Sequence, residues 1–184
     1  MKVKTTRFGE LEVNPTDIIT FSEGLLGFEN QKKYFVVDPG DSTLILWLQS
    51  TEDEKIAFPI IEPKIFKPDY IARLSAAELR ELKLENINHS AVFSILTIPE
   101  DVTQMTANLK APLVINLKEQ IAKQVVLQEN EYTIKYLMFK ELRAHLMTIA
   151  AQRSNREIAE RDASVAPVAV RDIPPSLTVK SLQA

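Results

Sequence analysis

From Lys2 to Gln128 the chain is built of short apolar runs, each cut off soon after it starts by glycine, proline, asparagine or acidic residues. Runs of that length suit strands of a sheet better than helices, which need a longer apolar stripe. Lys2-Val3-Lys4-Thr5 and Leu11-Glu12-Val13 alternate apolar and polar residues around Phe8-Gly9, which predicts an opening hairpin or bend. Asn14-Pro15 interrupts it, and Asp17 to Phe21 reads as a further strand. Gly24 and Gly27 bracket Leu25-Leu26 in a compact turn. Tyr34 to Val37 stops at Asp38-Pro39-Gly40-Asp41, a strong turn signal. Leu44 to Ser50 is almost continuously apolar, which predicts a central strand covered on both faces with Trp47 in the core. Ile56 to Ile61 carries Pro59, which predicts an edge or a bulge there. Val92–Ile98, Ala111–Asn116 and Gln124–Gln128 complete the set.

One helix interrupts these strands. Ser75-Ala76-Ala77-Glu78 is a capping box, followed by Leu79 and Leu82. The expected fold is therefore mostly β: a compact barrel-like or sandwich domain of short antiparallel strands with one short helix. After Tyr132 the pattern changes. Lys135 to Arg161 contains neither glycine nor proline, and Met138, Leu142, His145, Leu146, Ile149 and Ala150 recur at helical spacing. This predicts a β domain over residues 1–136, an amphipathic helix over 137–161 and a disordered tail over 162–184, where Pro167, Pro174 and Pro175 stand among small and polar residues. The helix either packs on the domain through Met138, Leu142, Leu146 and Ile149 or imitates a partner helix. Packing is favoured, because an exposed apolar stripe invites aggregation.

The 184 residues suffice for one domain plus an appendage. The formal net charge of −3 gives no strong positive field for nucleic acid. There is no cysteine, which excludes disulfides and thiolate chemistry. The N-terminus has no apolar run behind its charges, and no stretch approaches a membrane span. A cytoplasmic protein without membrane contact is the expectation.

The search for chemistry returns little. His89 lies in a polar turn and His145 on the terminal helix, neither in metal-ligand spacing. No Gly-x-Ser-x-Gly elbow is present, and Gly24-Leu25-Leu26-Gly27 lacks the lysine of a phosphate cradle. The carboxylates Glu23, Glu29, Glu62, Asp69, Glu100 and Asp101 mostly flank prolines and glycines, as solvated loop ends do. No catalytic residue, cofactor or metal is expected; an enzyme with a carboxylate-lined site is the outlying alternative. Met105 to Pro112 stands apart as a polar stretch between apolar strands, either a recognition loop or a structural crossover.

Met105-Thr-Ala-Asn-Leu-Lys-Ala-Pro-Leu-Val-Ile-Asn116 closely resembles the signature of the FliW family of flagellar assembly factors. Other blocks match in order: Thr6 to Glu10, Ile18 to Phe21, Gly24 to Glu29, Leu46 to Ser50, Pro68-Asp69-Tyr70, Leu96 to Asp101 and Gln124 to Leu127. The resemblance covers residues 1–136. Ser22 departs from it, standing where the family often has proline, and so does the chain beyond Tyr132. The resemblance implies a non-catalytic β-barrel that binds flagellin as a chaperone. It also implies binding of the RNA-binding regulator CsrA, in competition with flagellin, so that repression of flagellin translation is lifted after export. A chaperone without CsrA coupling is the alternative. The candidate interface residues are Asn108 and Lys110, in the most specific block, and Asp69 and Tyr70, an aromatic and a charge in one loop. Gly24, Gly27, Trp47 and Pro112 read as structural. Glu52-Asp53-Glu54, Glu78, Glu81, Glu85, Glu100 and Asp101 either form a field against RNA or aid solubility. The free protein is expected to be a monomer.

Overall fold

The computed structural model describes residues 1–40, 43–162 and 178–180. The strands are β1 (Lys2–Thr5), β2 (Gly9–Glu12), β3 (Ile19–Phe21), β4 (Lys33–Asp38), β5 (Leu46–Ser50), β6 (Ala57–Ile61), β7 (Ser90–Thr97), β8 (Thr106–Ala107), β9 (Leu113–Asn116), β10 (Ile121–Gln124), β11 (Tyr136–Leu137) and β12 (Thr178–Lys180). The helices are α1 (Ala76–Glu81) and α2 (Phe139–Asp162). The ladder β7-β6-β5-β4-β3-β10-β9 closes through a second pairing of β9 with β7, which makes a seven-stranded barrel. All its pairings are antiparallel except β3 with β10, whose long sequence separation permits a parallel match.

Period-two alternation sends side chains to opposite sides of the wall. Ile19, Phe21, Tyr34, Val36, Leu46, Leu48, Ile60, Phe93, Leu113 and Ile115 fill the lumen. Phe35 and Val37 point outward, under the β1–β2 hairpin, where they meet Val3, Leu11 and Val13. Ile61, Leu96 and Val114 point outward on another flank, where loops, α1 and the start of α2 cover them. A barrel of this size fills its own interior.

The capping box forms as expected: Ser75 Oγ accepts from the Glu78 N–H at 3.3 Å, and Glu78 Oε2 accepts from the Ser75 N–H at 2.6 Å. Met138 and Leu142 are buried, and Leu146 packs against the same cluster, so the first turns of α2 dock on the barrel. Met147 is 61% exposed, where the helix leaves it. Pro59 lies where β7 does not yet pair with β6: the β7 register covers only Ile60 and Ile61. Its missing N–H therefore breaks no bond.

Three local expectations differ from the structure. The strand expected at Gln124–Gln128 is shifted to Ile121–Gln124. The apolar Val125-Val126-Leu127 instead runs beside the Lys110–Pro112 loop, with Val125 N–H on Pro112 O and Leu127 N–H on Lys110 O, both at 2.9 Å. The polar stretch after Met105 begins with a strand, β8, held between β7 and β11. Trp47 is half-buried on the outside of the wall, edge-on to Phe8 at 5.9 Å and with the Arg7 guanidinium 3.9 Å from its ring centre. The hairpin is too short to cover the whole indole. The tail expected to be disordered lies mostly outside the described residues.

Candidate functional site

Pro68-Asp69-Tyr70 and Met105–Pro112 are far apart in sequence, and the fold brings them together. The Tyr70 hydroxyl donates to Leu109 O at 2.8 Å across 39 residues. Tyr70 also packs on Tyr132, centroids 4.7 Å apart, and the Tyr132 hydroxyl accepts the Ile71 N–H at 3.0 Å. Leu109 N–H reaches Thr133 O at 3.0 Å, and Lys110 Nζ donates to Glu129 O at 2.6 Å. Arg73 lies 3.6 Å from the Glu129 carboxylate. Three loops, around residues 67–74, 108–112 and 125–134, thus form one surface on the loop-covered flank.

The four candidates play different parts in it. Tyr70 is only 1% exposed, so it offers no surface to a partner; its expected role as an interface anchor is corrected to that of a buried clamp. A phenol with one polar atom and a large ring satisfies a loop carbonyl while filling the core. Burial raises its pKa above the ordinary tyrosine range. Asn108 is half-buried, and its Oδ1 accepts the Ala111 N–H at 2.9 Å, which closes the loop on itself. Lys110 is half-buried and bonded as above. Asp69 is fully outside, paired with Lys67 at 2.9 Å, whose hydrogen bond holds its carboxyl below the usual range.

Beside the exposed Asp69 and Arg73, the surface presents apolar side chains outward. Ile71 is 52% exposed, Val126 47% and Ile134 64%. Val126 also lines an open hollow of about 280 Å³ with Arg73, Leu74, Ser75, Glu78, Gln128 and Glu129. Exposed β-branched side chains beside an ion pair and a shallow hollow suit a protein partner, since the loops under them are already clamped. None of these three aliphatic residues was a sequence candidate. A partial signal was present: Ile71 follows the buried Tyr70 and Val126 lies between the buried Val125 and Leu127, whereas Ile134 stands between exposed Thr133 and Lys135.

Two further residues tie the frame together. Asn116, 4% exposed, accepts from Lys118 and Glu119 N–H and donates to Leu82 and Lys83 O, joining the β9–β10 turn to the end of α1. Gln124 accepts the Leu26 N–H at 2.9 Å and donates to Ala111 O, joining the Gly24–Gly27 turn to the loop. Gly24 has φ +75° and a Cβ there would lie 2.7 Å from Glu29 Cα, so no other residue fits.

Several of the acidic residues are engaged locally. Glu52 Oε2 accepts from Lys32 and Lys33 N–H, Glu78 caps α1, Glu81 pairs with Lys123 at 2.5 Å, and Asp101 Oδ1 accepts from Thr103 N–H. Among the described residues no group of histidine and carboxylate side chains forms a metal cage, and no helix is long and apolar enough to cross a membrane.

A packed, closed seven-stranded barrel with a loop-built outer surface defines a class of protein, a small β-barrel scaffold. The FliW protein family model matches residues 2–138, and the chain belongs to that family. It is 43% identical to the flagellar assembly factor FliW of Bdellovibrio bacteriovorus over 147 residues, which is 80% of this chain and 84% of that relative. It is 42% identical to that of Thermosipho africanus over 132 residues, 71% of this chain and 91% of the relative. A crystal structure of the flagellar assembly factor FliW superposes with TM-score 0.70 at 32% identity, covering 76% of this chain and 97% of the other. The role in flagellar assembly follows from that membership.

Proposed function

We propose that this chain binds cytoplasmic flagellin and the translational regulator CsrA in alternation, and that it performs no catalysis. The observation that carries this reading is the exposed apolar set Ile71, Val126 and Ile134 on a clamped loop frame, in a chain of the FliW family. Flagellin termini are amphipathic helices that assemble by apolar packing, and an apolar outer surface complements them. CsrA attracts RNA phosphates and therefore offers basic surface. The net charge of −3, with Glu100 and Asp101 exposed, favours such a partner and repels RNA from it. A partner switch needs only a difference in free energy, about 1.4 kcal/mol for each tenfold ratio of affinity.

The test mixes the purified chain with CsrA, adds flagellin and follows the complexes by size-exclusion chromatography. Release of CsrA is the expected result; flagellin binding without any effect on CsrA's affinity for RNA selects the pure chaperone. Binding of neither overturns the reading. Ile71→Ser with Ile134→Ser should weaken flagellin binding by about tenfold or more while changing stability by less than about 0.5 kcal/mol.

A further inference from the structure

The seam of the barrel lies along β4. β3 pairs with it only at Ile19 with Tyr34 and Thr20 with Lys33, then leaves through the turn Pro15–Asp17. On the other side β5 follows β4 from Tyr34 to Val37. Beyond Tyr34, therefore, no barrel strand lies on the β3 side of β4. The β1–β2 hairpin covers the outward side chains Phe35 and Val37, but its ladder is internal, Lys2 with Glu12 through Thr5 with Gly9, and it leaves the backbone edge open. Such an edge offers unpaired N–H and C=O groups to any extended chain.

β12 lies on this edge. It runs parallel to β4, with Thr178 opposite Val36, Val179 opposite Val37 and Lys180 opposite Asp38. This segment follows the family match, which ends at residue 138. The chain length allows the return: 178 − 162 = 16 residue steps separate β12 from the end of α2, and at roughly 3.3 Å each they reach about 50 Å. The 24-residue α2 is shorter than that, at about 36 Å.

We propose that Thr178–Lys180 is a cis-acting strand that docks on the open edge of β4 at Val36–Asp38 and shields it from pairing with a second copy of this chain. The recognition is by backbone, so it depends on extension and free N–H groups more than on side-chain identity. It is separate from the loop-built flank and independent of which partners that flank takes.

Hydrogen exchange on the full-length chain tests it, with Thr178→Pro and Val179→Pro combined. Successive N–H groups of a strand point to opposite sides, so two adjacent prolines remove whichever one faces β4. Amides of Phe35–Asp38 that point away from β5 should exchange about tenfold faster or more, while those of Leu113–Asn116 in the opposite wall stay unchanged. A chain ending at Asp162 should show the same local change. Unchanged exchange at Phe35–Asp38 overturns the proposal, and so does an equal rise in both walls. A rise in the shortened chain but not in the proline variant overturns the strand pairing, since it places the protection elsewhere in the tail.

Discussion

The two covered flanks of the barrel are built by opposite means. On one, a single hairpin with its own four-pair ladder lies over Phe35 and Val37, and Val3, Leu11 and Val13 complete a dry cluster. On the other, three separate loops are held by individual bonds: Tyr70 to Leu109, Tyr132 to Ile71, Lys110 to Glu129, Asn108 to Ala111. A ladder satisfies its backbone groups in series and needs few specific side chains. A loop cover needs one polar clamp for each stray carbonyl or N–H, and it can then display apolar residues in directions no strand would allow. Ile71, Val126 and Ile134 are displayed in this way. The difference makes the hairpin flank a closed cover, while the loop flank is a clamped frame that leaves apolar side chains exposed.

The largest effect that would break this division is at Tyr70. Tyr70→Ala removes a ring that is 1% exposed and orphans the Leu109 carbonyl. It should cost about 3–5 kcal/mol, read from urea denaturation. Tyr70→Phe keeps the ring and should cost about 1–2 kcal/mol. The single tryptophan, Trp47, lies on β5 beneath the hairpin, so its fluorescence reports the barrel wall and the hairpin cover together. If Tyr70→Ala left the melting temperature unchanged, the loop surface would not be clamped, and the distinction between the flanks would fail.

The second effect is alkaline. Burial pushes Tyr34, in the lumen, up to about 12, and raises Tyr70 on the loop flank as well. An unfolded tyrosine ionises near pH 10. Above that the unfolded chain releases protons that the folded chain keeps, so stability falls as pH rises from 10 towards 12. Each such ring contributes a slope of up to about 1.4 kcal/mol per pH unit. The hairpin cluster contains no tyrosine. Tyr34→Phe should therefore reduce the alkaline loss, and at pH 7 it should be neutral or stabilising, because the Tyr34 hydroxyl has no hydrogen-bond partner among the described residues. Denaturation curves between pH 8 and pH 11 check both statements, and an alkaline slope unaltered by Tyr34→Phe and Tyr70→Phe refutes them.

The same contrast explains what could be read from the residues alone. Strands announce themselves by alternation or as short apolar runs between turn residues, so β1 to β7 and β9 were legible, as was the helix at the Ser75 capping box. The barrel was legible only as a class, because closure depends on β9 pairing with both β10 and β7, and no local pattern encodes a second partner. The shifted β10 has a similar cause. Val125-Val126-Leu127 is apolar enough for a strand, but it is bonded to a loop rather than to a ladder. For the site, the segments were legible and the roles were not. Pro68–Tyr70 and Met105–Asn116 do meet, yet nothing in a one-dimensional pattern separates a tyrosine that faces a partner from one that faces Leu109 O. Burial is a property of the meeting, not of either segment.

The smallest effect is the one that tests the loop flank most finely. Asn108 sits in the most family-specific block, and its Oδ1 holds the Ala111 N–H at 2.9 Å. A residue that only contacts a partner can be truncated without cost to the fold, while one that closes a turn cannot. Asn108→Ala should lower stability by about 1 kcal/mol, the ordinary worth of one such hydrogen bond. Asn108→Asp keeps the accepting oxygen and should recover most of the loss. Flagellin binding measured by calorimetry on both variants then separates the two roles. If affinity follows stability, falling in the alanine variant and returning with aspartate, the side chain acts by shaping the loop beneath Ile71 and Ile134. If affinity is lost in both while only the alanine variant is destabilised, the asparagine amide itself touches the partner, and the loop flank is both frame and contact at that one position.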